Sequence, residues 1–594
     1  MRLHLVLKFE FAPARGSARY GRVASQLEHS RLPETDASTR STRALTPSLQ
    51  RAAAVVAQRL PQASAWTRFA AVFAASTLSL WPLWKQPGWP ANHESCVWAT
   101  RVGVLQAAWH RGELLPLWWR EGNAGLGSPM PALYHKLQNF VCALLLELFG
   151  NIEWAEMLSL LLFSVLGCLG LRRLARQLGA SPWTATLHAM LLPFTSYVAT
   201  DWLVRGAFAE HAGFMLLPWL LVGLLELIEH GRVRVGLLGG MMIALFYAHS
   251  MTALFSVGLI VIAALIALAR HPGRAGHILG QGTLAALCFF LAIAPTVWVM
   301  RVLAEYFYLD HTVGGVYDVH RHLTNLTNAL FGERRRINFS PVLDVELWVA
   351  IAGAALLALP RRLRSSSARP WADPALGFLL LGCALMTFLR LKAAGPIYDW
   401  VPGLRYIQFP WRLMSFMTVL LIGLSAALFG RIQARLAIPL ASALLLVLAV
   451  RSPVFRYEEV RLPHAELVAA LAPTHDVRWW EYVPTVPGPA NEYQMSAWAE
   501  QPTTVSDTCS VRAEGCPRCF VAECTAPGTI ALPYAFTSLE LVTDGAGRPV
   551  PVFRDEDDAR VLVDMDTGRT ELHYHKPSWI NLGRRLLLSL GSPR

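Results

Sequence analysis

Residues 201–234 read DWLVRGAFAEHAGFMLLPWLLVGLLELIEHGRVR, and this stretch decides the architecture. From Phe208 to Ile228 nearly every side chain is apolar, with no polar face of helical period. A run of roughly 20 such residues crosses the hydrocarbon core of a bilayer as a helix. It ends on Arg232 and Arg234, and loops rich in Lys and Arg stay on the cytoplasmic side. Asp201, Arg205, Glu210 and His211 therefore gather at its outer end.

Similar runs occur on either side, at 66–84, 154–171, 183–199, 235–249, 251–268, 278–300, 342–359, 375–389, 412–429 and 436–450. With 208–228 they make about eleven spans. The Arg clusters at Arg172-Arg173, Arg270, Arg361-Arg362 and Arg431 then fall in alternate loops, as a consistent orientation requires. The segment 130–149 is apolar but carries Pro131, His135, Lys136 and Glu147. Read as an interfacial helix rather than a span, it keeps Arg172 and Arg173 inside.

The expected fold class is a mainly α, polytopic helical membrane protein with a C-terminal extracytoplasmic β-rich domain. Composition agrees: 54% of the 594 residues are hydrophobic and 16% charged, against about a quarter charged in soluble domains. The net charge of +12 resides largely in the Arg-rich loops and tail, so nucleic acid is excluded as a partner and the bilayer takes its place. Residues 1–65 read as a disordered, Arg-rich cytoplasmic tail without a signal peptide. An upstream start-codon artefact is the other reading, since no second Met precedes Met130. Residues 66–450 form the transmembrane domain, with a first outer loop at 85–153. Residues 451–576 alternate in short stretches between turn signals such as Asp544-Gly545 and Asp566-Thr567-Gly568, which predicts a small β-sandwich. Residues 577–594 are an interfacial helix or a truncated terminal span.

Of the nine cysteines, Cys142, Cys168, Cys288 and Cys383 sit in apolar runs and read as packing residues. Cys96 stands alone in the first outer loop. Cys509, Cys516, Cys519 and Cys524 cluster in the β-rich part, where two disulfides are expected outside the cytoplasm. A zinc knot built on Cys516 and Cys519 is the rival.

Charged groups against a membrane are expensive and by default mark function. The first outer loop mixes Glu94, Arg101, Arg111, Glu113, Arg120 and Glu121 with Trp89, Trp98, Trp109, Trp118 and Trp119. The tryptophans read as an interfacial belt or as a platform for sugar rings. Glu94, just beyond the first span, is the carboxylate placed to act as general base. Arg205 either fixes its turn by pairing with Glu210 or holds a phosphate with its planar fork. His249 reads as a helix cap or a substrate contact. Arg405 and Arg412 flank Phe409-Pro410-Trp411, where two guanidiniums beside aromatics suit a lipid phosphate, although Arg412 can also snorkel. Glu305, Asp310 and His311 are weaker candidates.

The same clusters carry a resemblance. Glu94 to Arg101, then Gly112, Pro116, Trp118, Gly125, Gly127 and Pro129, resemble the first outer loop of bacterial membrane proteins labelled "6-pyruvoyl-tetrahydropterin synthase-related". The label implies no pterin chemistry. Val204-Arg205-Gly206-Ala207 with Glu210 and Pro218 resembles a second motif of that family, and Phe409-Pro410-Trp411-Arg412 a third. The family looks like the GT-C glycosyltransferases, in which a polyprenyl-phosphate donor gives its sugar to an acceptor on the outer face. The resemblance implies a bacterial inner-membrane enzyme, a glycan, lipid or protein acceptor, and Glu94 as base or as a ligand of a divalent metal. Two departures stand out: Glu94 and Trp98 replace the usual Asp and following His, and there is no tandem Asp pair to support a metal. A transporter or flippase for lipid-linked sugars and a non-catalytic envelope assembly protein are the alternatives.

Overall fold

The computed structural model describes residues 64–123, 127–307, 313–331, 343–363, 373–401, 403–456, 460–472, 503–516, 518–555 and 559–583. The tail up to residue 63, Asp310, His311 and the chain beyond residue 583 lie outside the described residues.

The helices follow the apolar runs in order. They are α1 (Ala65–Leu78), α2 (Val97–His110), α3 (Leu137–Phe149), α4 (Ile152–Gln177) and α5 (Pro182–Leu191). Next come α6 (Phe208–His230), α7 (Val235–Ala248), α8 (Ser250–Arg270) and α9 (Ala275–Ala304). The set ends with α10 (Val345–Leu363), α11 (Pro374–Phe388), α12 (Met414–Phe429) and α13 (Ala434–Arg451). Among the described residues six helices are long and apolar enough to cross a bilayer: α4, α6, α8, α9, α13 and the 410–429 segment that contains α12. The apolar windows of α6 and of 410–429 are 94% buried within the chain, so these two helices form the centre. That of α9 is only 22% buried, and it turns Leu284, Leu287, Phe290 and Leu291 outward. Such a strip is a liability in water but is ordinary against lipid. The chain is a multi-pass membrane protein.

Two expected spans are not single helices. The run at 183–199 breaks after α5 into a 3₁₀ turn (Leu192–Phe194), a short helix (Ser196–Ala199) and a π-helical turn (Thr200–Val204). Pro193 supplies the physical reason, because it has no N–H and its ring clashes with the preceding turn. The first run ends its helix at Leu78 and restarts at Trp81–Lys85 around Pro82. Within 130–149 the helix α3 has 13 residues. It reaches only about 20 Å and closes on Gly150, whose φ of 66° needs the left-handed region.

The C-terminal part is β-rich, as expected. Strands β1 (Trp89–Pro90) and β2 (Arg461–Leu462) pair antiparallel and tie the first loop to the chain leaving α13. Beyond them lie β3 (Thr503–Thr504), β4 (Cys509–Ala513), β5 (Cys519–Cys524), β6 (Gly528–Ala535), β7 (Leu541–Asp544), β8 (Pro549–Val550), β9 (Val552–Arg554), β10 (Arg560–Met565) and β11 (Gly568–His575). They form a four-stranded sheet, β3-β6-β10-β9, and a five-stranded sheet, β4-β5-β11-β7-β8. Phe520, Val542 and Leu572 of one sheet and Ile530, Val561 and Val563 of the other share one core. The four cysteines pair as disulfides, Cys509–Cys524 across β4 and β5 and Cys516–Cys519 in the connecting turn.

Candidate active site

The site is built where three separate segments meet. The π-helical turn at Thr200–Val204 is a rare form that recurs at functional sites. It presents Asp201 and delivers the chain to Arg205 and Gly206. Gly206 has φ +70°, and a Cβ there would lie 2.5 Å from Asn92 Oδ1. That close approach brings the first loop onto the turn: the His93 N–H donates to the Val204 carbonyl at 3.1 Å. Asn92 Oδ1 accepts from the Glu94 N–H at 3.0 Å, which fixes Glu94 beside the turn.

The third segment enters α12. Arg205 Nη1 lies 2.5 Å from Asp201 Oδ1 and 2.9 Å from Glu210 Oε2. Arg412 Nε approaches the same Glu210 oxygen at 3.2 Å, and the Tyr197 hydroxyl donates to Glu210 Oε1 at 2.8 Å. Glu210 thus binds a turn on one element to the start of another. Arg205 also stacks on Trp411, its Cζ 4.6 Å from the ring centroid. Two guanidiniums meet two carboxylates, so the buried group is balanced in charge, which a low-dielectric site requires. Arg412 remains 18% exposed, and its Nη1 donates to the Ile407 carbonyl at 3.0 Å.

Glu94 is different. Its carboxylate lies 2.7 Å from Arg101 Nη2 and is 29% exposed, whereas Asp201 and Glu210 are 0% and 3% exposed. Arg101 rests on the Tyr134 ring at 3.8 Å. Burial pushes the Tyr134 hydroxyl up to about 12, against the pull of Arg101, Arg412 and Arg205. All three guanidiniums and Glu94 therefore act on one point. His135 and His249 stand next to it, ring centroids 4.7 Å apart. The Ser250 N–H donates to His135 Nδ1 at 3.3 Å, and His249 Nδ1 hydrogen-bonds Thr252 Oγ1 at 2.8 Å. Burial and its cationic neighbours hold His135 well below the ordinary histidine range, and burial brings Lys136 down to about 8. A cleft of about 40 Å³ opens beside this group, lined by Arg101, Leu105, Leu115, Met130, Tyr134 and Phe140. It is apolar with a cationic end.

Glu94, Arg101, Arg205, Glu210, His249 and Arg412 are thus brought together. Arg405 is not part of this group; it lines a separate pocket with Tyr398, Asp399, Val401, Gly403 and Tyr406. Four of the five first-loop tryptophans do not form a sugar platform. Trp89, Trp98, Trp118 and Trp119 are buried at 2% exposure or less, because the loop folds onto itself and onto Phe208, 5.5 Å from Trp98. Asn92, Tyr134, His135 and Tyr197 belong to the site and were missed. The polar interruption of the apolar run at 130–149 points to His135, while Asn92 and Tyr197 carry no comparable local signal. Among the described residues no group of three His, Cys, Asp or Glu side chains is placed to hold a metal ion.

No family model and no curated protein matches this chain. Among solved structures it is similar to arabinofuranosyltransferase AftD from mycobacteria, with a TM-score of 0.44 and 18% identity, covering 65% of this chain and 26% of that one. It is similar to arabinosyltransferase EmbB from Mycobacterium smegmatis, with a TM-score of 0.34 and 11% identity over 91% of this chain and 64% of that one. It is also similar to ArnT from Cupriavidus metallidurans in the apo state, with a TM-score of 0.29 and 14% identity over 84% and 98%. The chain spans about a quarter of the length of the AftD chain it matches.

Proposed function

We propose that this chain is a membrane glycosyltransferase of GT-C type. It moves a sugar from a polyprenyl-phosphate donor to an acceptor on the extracytoplasmic face of a bacterial cytoplasmic membrane. The observation that carries the reading is the position of Glu94. Of the three acidic side chains at the meeting of the segments, Glu94 alone keeps a substantial exposed surface, and its partner Arg101 lines the apolar cleft.

In the step this geometry supports, the Glu94 carboxylate takes the proton of an acceptor hydroxyl. The acceptor oxygen forms its bond to the anomeric carbon as the bond to the phosphate oxygen breaks. The electron pair leaves with the lipid phosphate, and Arg101 and Arg412 meet the developing charge. Arg205, held by Asp201 and Glu210, keeps Glu210 and hence Arg412 in place. The apolar wall of the cleft suits the start of the lipid chain. Among the described residues no group of three His, Cys, Asp or Glu side chains is gathered, and the step is written with side chains alone.

The test is glycan analysis of a deletion strain complemented with wild type or with Glu94→Gln. Restoration by wild type alone is expected. Equal restoration by both removes Glu94 as the base, and unchanged glycans in the deletion strain remove the transferase reading.

A further inference from the structure

The two disulfides of the β-rich part sit in different surroundings. Cys509 and Cys524, 7% and 5% exposed, join β4 to β5 inside the core that the two sheets share. Cys516 and Cys519 close only the turn between the same two strands. Backbone hydrogen bonds already hold that turn. The Cys519 N–H donates to the Cys516 carbonyl at 3.0 Å, and the Glu514 N–H to the Cys519 carbonyl at 3.0 Å. From β11, the Tyr574 N–H donates to the Arg518 carbonyl at 2.9 Å. Breaking the sulfur–sulfur bond therefore leaves the two cysteines side by side, as a reversible dithiol requires.

The two sulfurs of this turn are not equivalent. Cys516 is exposed and Cys519 is half-buried, so an incoming thiolate reaches Cys516 first. Cys519 is the cross-strand partner of His573 on β11, and its Sγ lies 3.3 Å from His573 Nδ1. A disulfide sulfur has no hydrogen to give, so the ring N–H donates in this contact. That bond strengthens when the sulfur becomes a thiolate, because hydrogen bonds to charged acceptors are the stronger ones. Exchange is fast where the attacked sulfur is accessible and the departing one is stabilised as a thiolate. The turn meets both conditions. Its two-residue spacing, Cys516-Pro517-Arg518-Cys519, is also one at which cysteine thiols become reactive.

We propose that Cys516, Cys519 and His573 form a thiol–disulfide exchange centre whose co-reactant is a thiol. One thiolate attacks Cys516 Sγ. The new sulfur–sulfur bond forms as the Cys516–Cys519 bond breaks, and the electron pair leaves on Cys519 Sγ, where the His573 N–H meets it. A second thiolate then attacks the co-reactant's sulfur in the mixed disulfide, and Cys516 departs as a thiolate. Two thiols become one disulfide, and the two cysteines gain their two electrons and two protons. The centre does not depend on the glycosyltransferase reading.

The experiment treats the folded full chain in lipid nanodiscs with reduced glutathione, alkylates the freed cysteines and locates them by peptide mass spectrometry. Cys516–Cys519 should open at least about tenfold faster than Cys509–Cys524, whose attack needs a local opening of the core. Oxidised glutathione should close it again. His573→Gln should slow the opening and raise the ratio of reduced to oxidised glutathione needed for half-reduction. Each change should be about tenfold, the effect of one lost charged hydrogen bond. His575→Gln lies two residues along the same strand, with the native Nε2 on Thr543 Oγ1 at 3.0 Å, and should leave both readouts unchanged. Equal opening rates for the two disulfides, or wild-type rate and ratio in His573→Gln, overturns the proposal. The comparison of the two disulfides needs no variant, so poor folding of His573→Gln does not remove the test. Either overturning result leaves the Glu94 test of transfer untouched.

Discussion

The Glu94 carboxylate and the Arg101 guanidinium lie 2.7 Å apart, and the pair is held from both sides: Asn92 accepts the Glu94 N–H, and Tyr134 carries the Arg101 plane on its ring. All four residues sit in the first loop, where Asn92 packs against Gly206 of the turn after the π-helix and Tyr134 precedes α3. A base held in this way loses little entropy on meeting its substrate.

The buried ion group separates structural from functional arginines. Glu210→Gln withdraws the carboxylate shared by Arg205 and Arg412, leaving buried guanidiniums with less counter-charge. A loss of about 3–5 kcal/mol is expected, seen as poor yield and early thermal unfolding in detergent. Arg412→Ala, at a position 18% exposed against 9% for Arg205, should lower stability by less than about 2 kcal/mol while cutting transfer at least tenfold. Comparable stability losses in the two variants would remove the distinction.

Gly206→Ala meets two obstacles at once. Its φ of +70° disfavours a Cβ, and that Cβ would press on Asn92. Destabilisation of about 1–3 kcal/mol is expected. Adding Asn92→Gly should relieve the contact but not the backbone strain, so thermal unfolding should recover only in part. Full recovery would show that φ does not matter here.

Acid should loosen the first loop through His93. Burial first and Arg205 second lower its pKa from 6.5, against a smaller opposing effect of Glu94. A histidine whose folded pKa lies below its unfolded one resists protonation in the fold. Its contribution is intact above 6.5 and is lost as pH falls from there through the folded value. Thermal stability of wild type should therefore drop between pH 7 and pH 5 by more than that of His93→Gln. Parallel curves for the two proteins would refute this.

The two disulfides should differ in weight. Cys509–Cys524 closes a separation of 15 residues, whereas Cys516–Cys519 closes only 3. Replacing the first pair by Ser should cost about 3 kcal/mol, and replacing the second should cost clearly less. Thermal unfolding with and without reductant reads both.

Much of the fold was legible in the sequence because bilayer thickness imposes a length on each apolar run. The apolar runs became α4, α6, α8 and α9, with helix ends up to six residues beyond the runs, and Glu94, Arg205, Glu210 and Arg412 stood out as charges that no lipid-facing helix would carry. The break of 183–199 is marked locally by Pro193, and the Thr195 hydroxyl donates back to the Leu192 carbonyl at 2.8 Å. Two things were not legible. The sharing of Glu210 by Arg205 and Arg412 joins residues far apart in the chain, which periodicity cannot report. The tryptophans of the first loop looked like a surface because their burial depends on how the loop packs, and no local pattern encodes that.

The central claim is that Glu94 accepts the acceptor's proton during transfer from a lipid-linked donor. Membranes from the deletion strain, carrying isotope-labelled polyprenyl-phosphate sugars, can be mixed with purified wild-type or Glu94→Gln protein. Label leaving the lipid fraction is then followed in time. Wild type should move the label into glycan, and Glu94→Gln, folded and present at the same level, should be slower by about 10²–10⁴-fold. Equal rates from the two proteins would contradict the account.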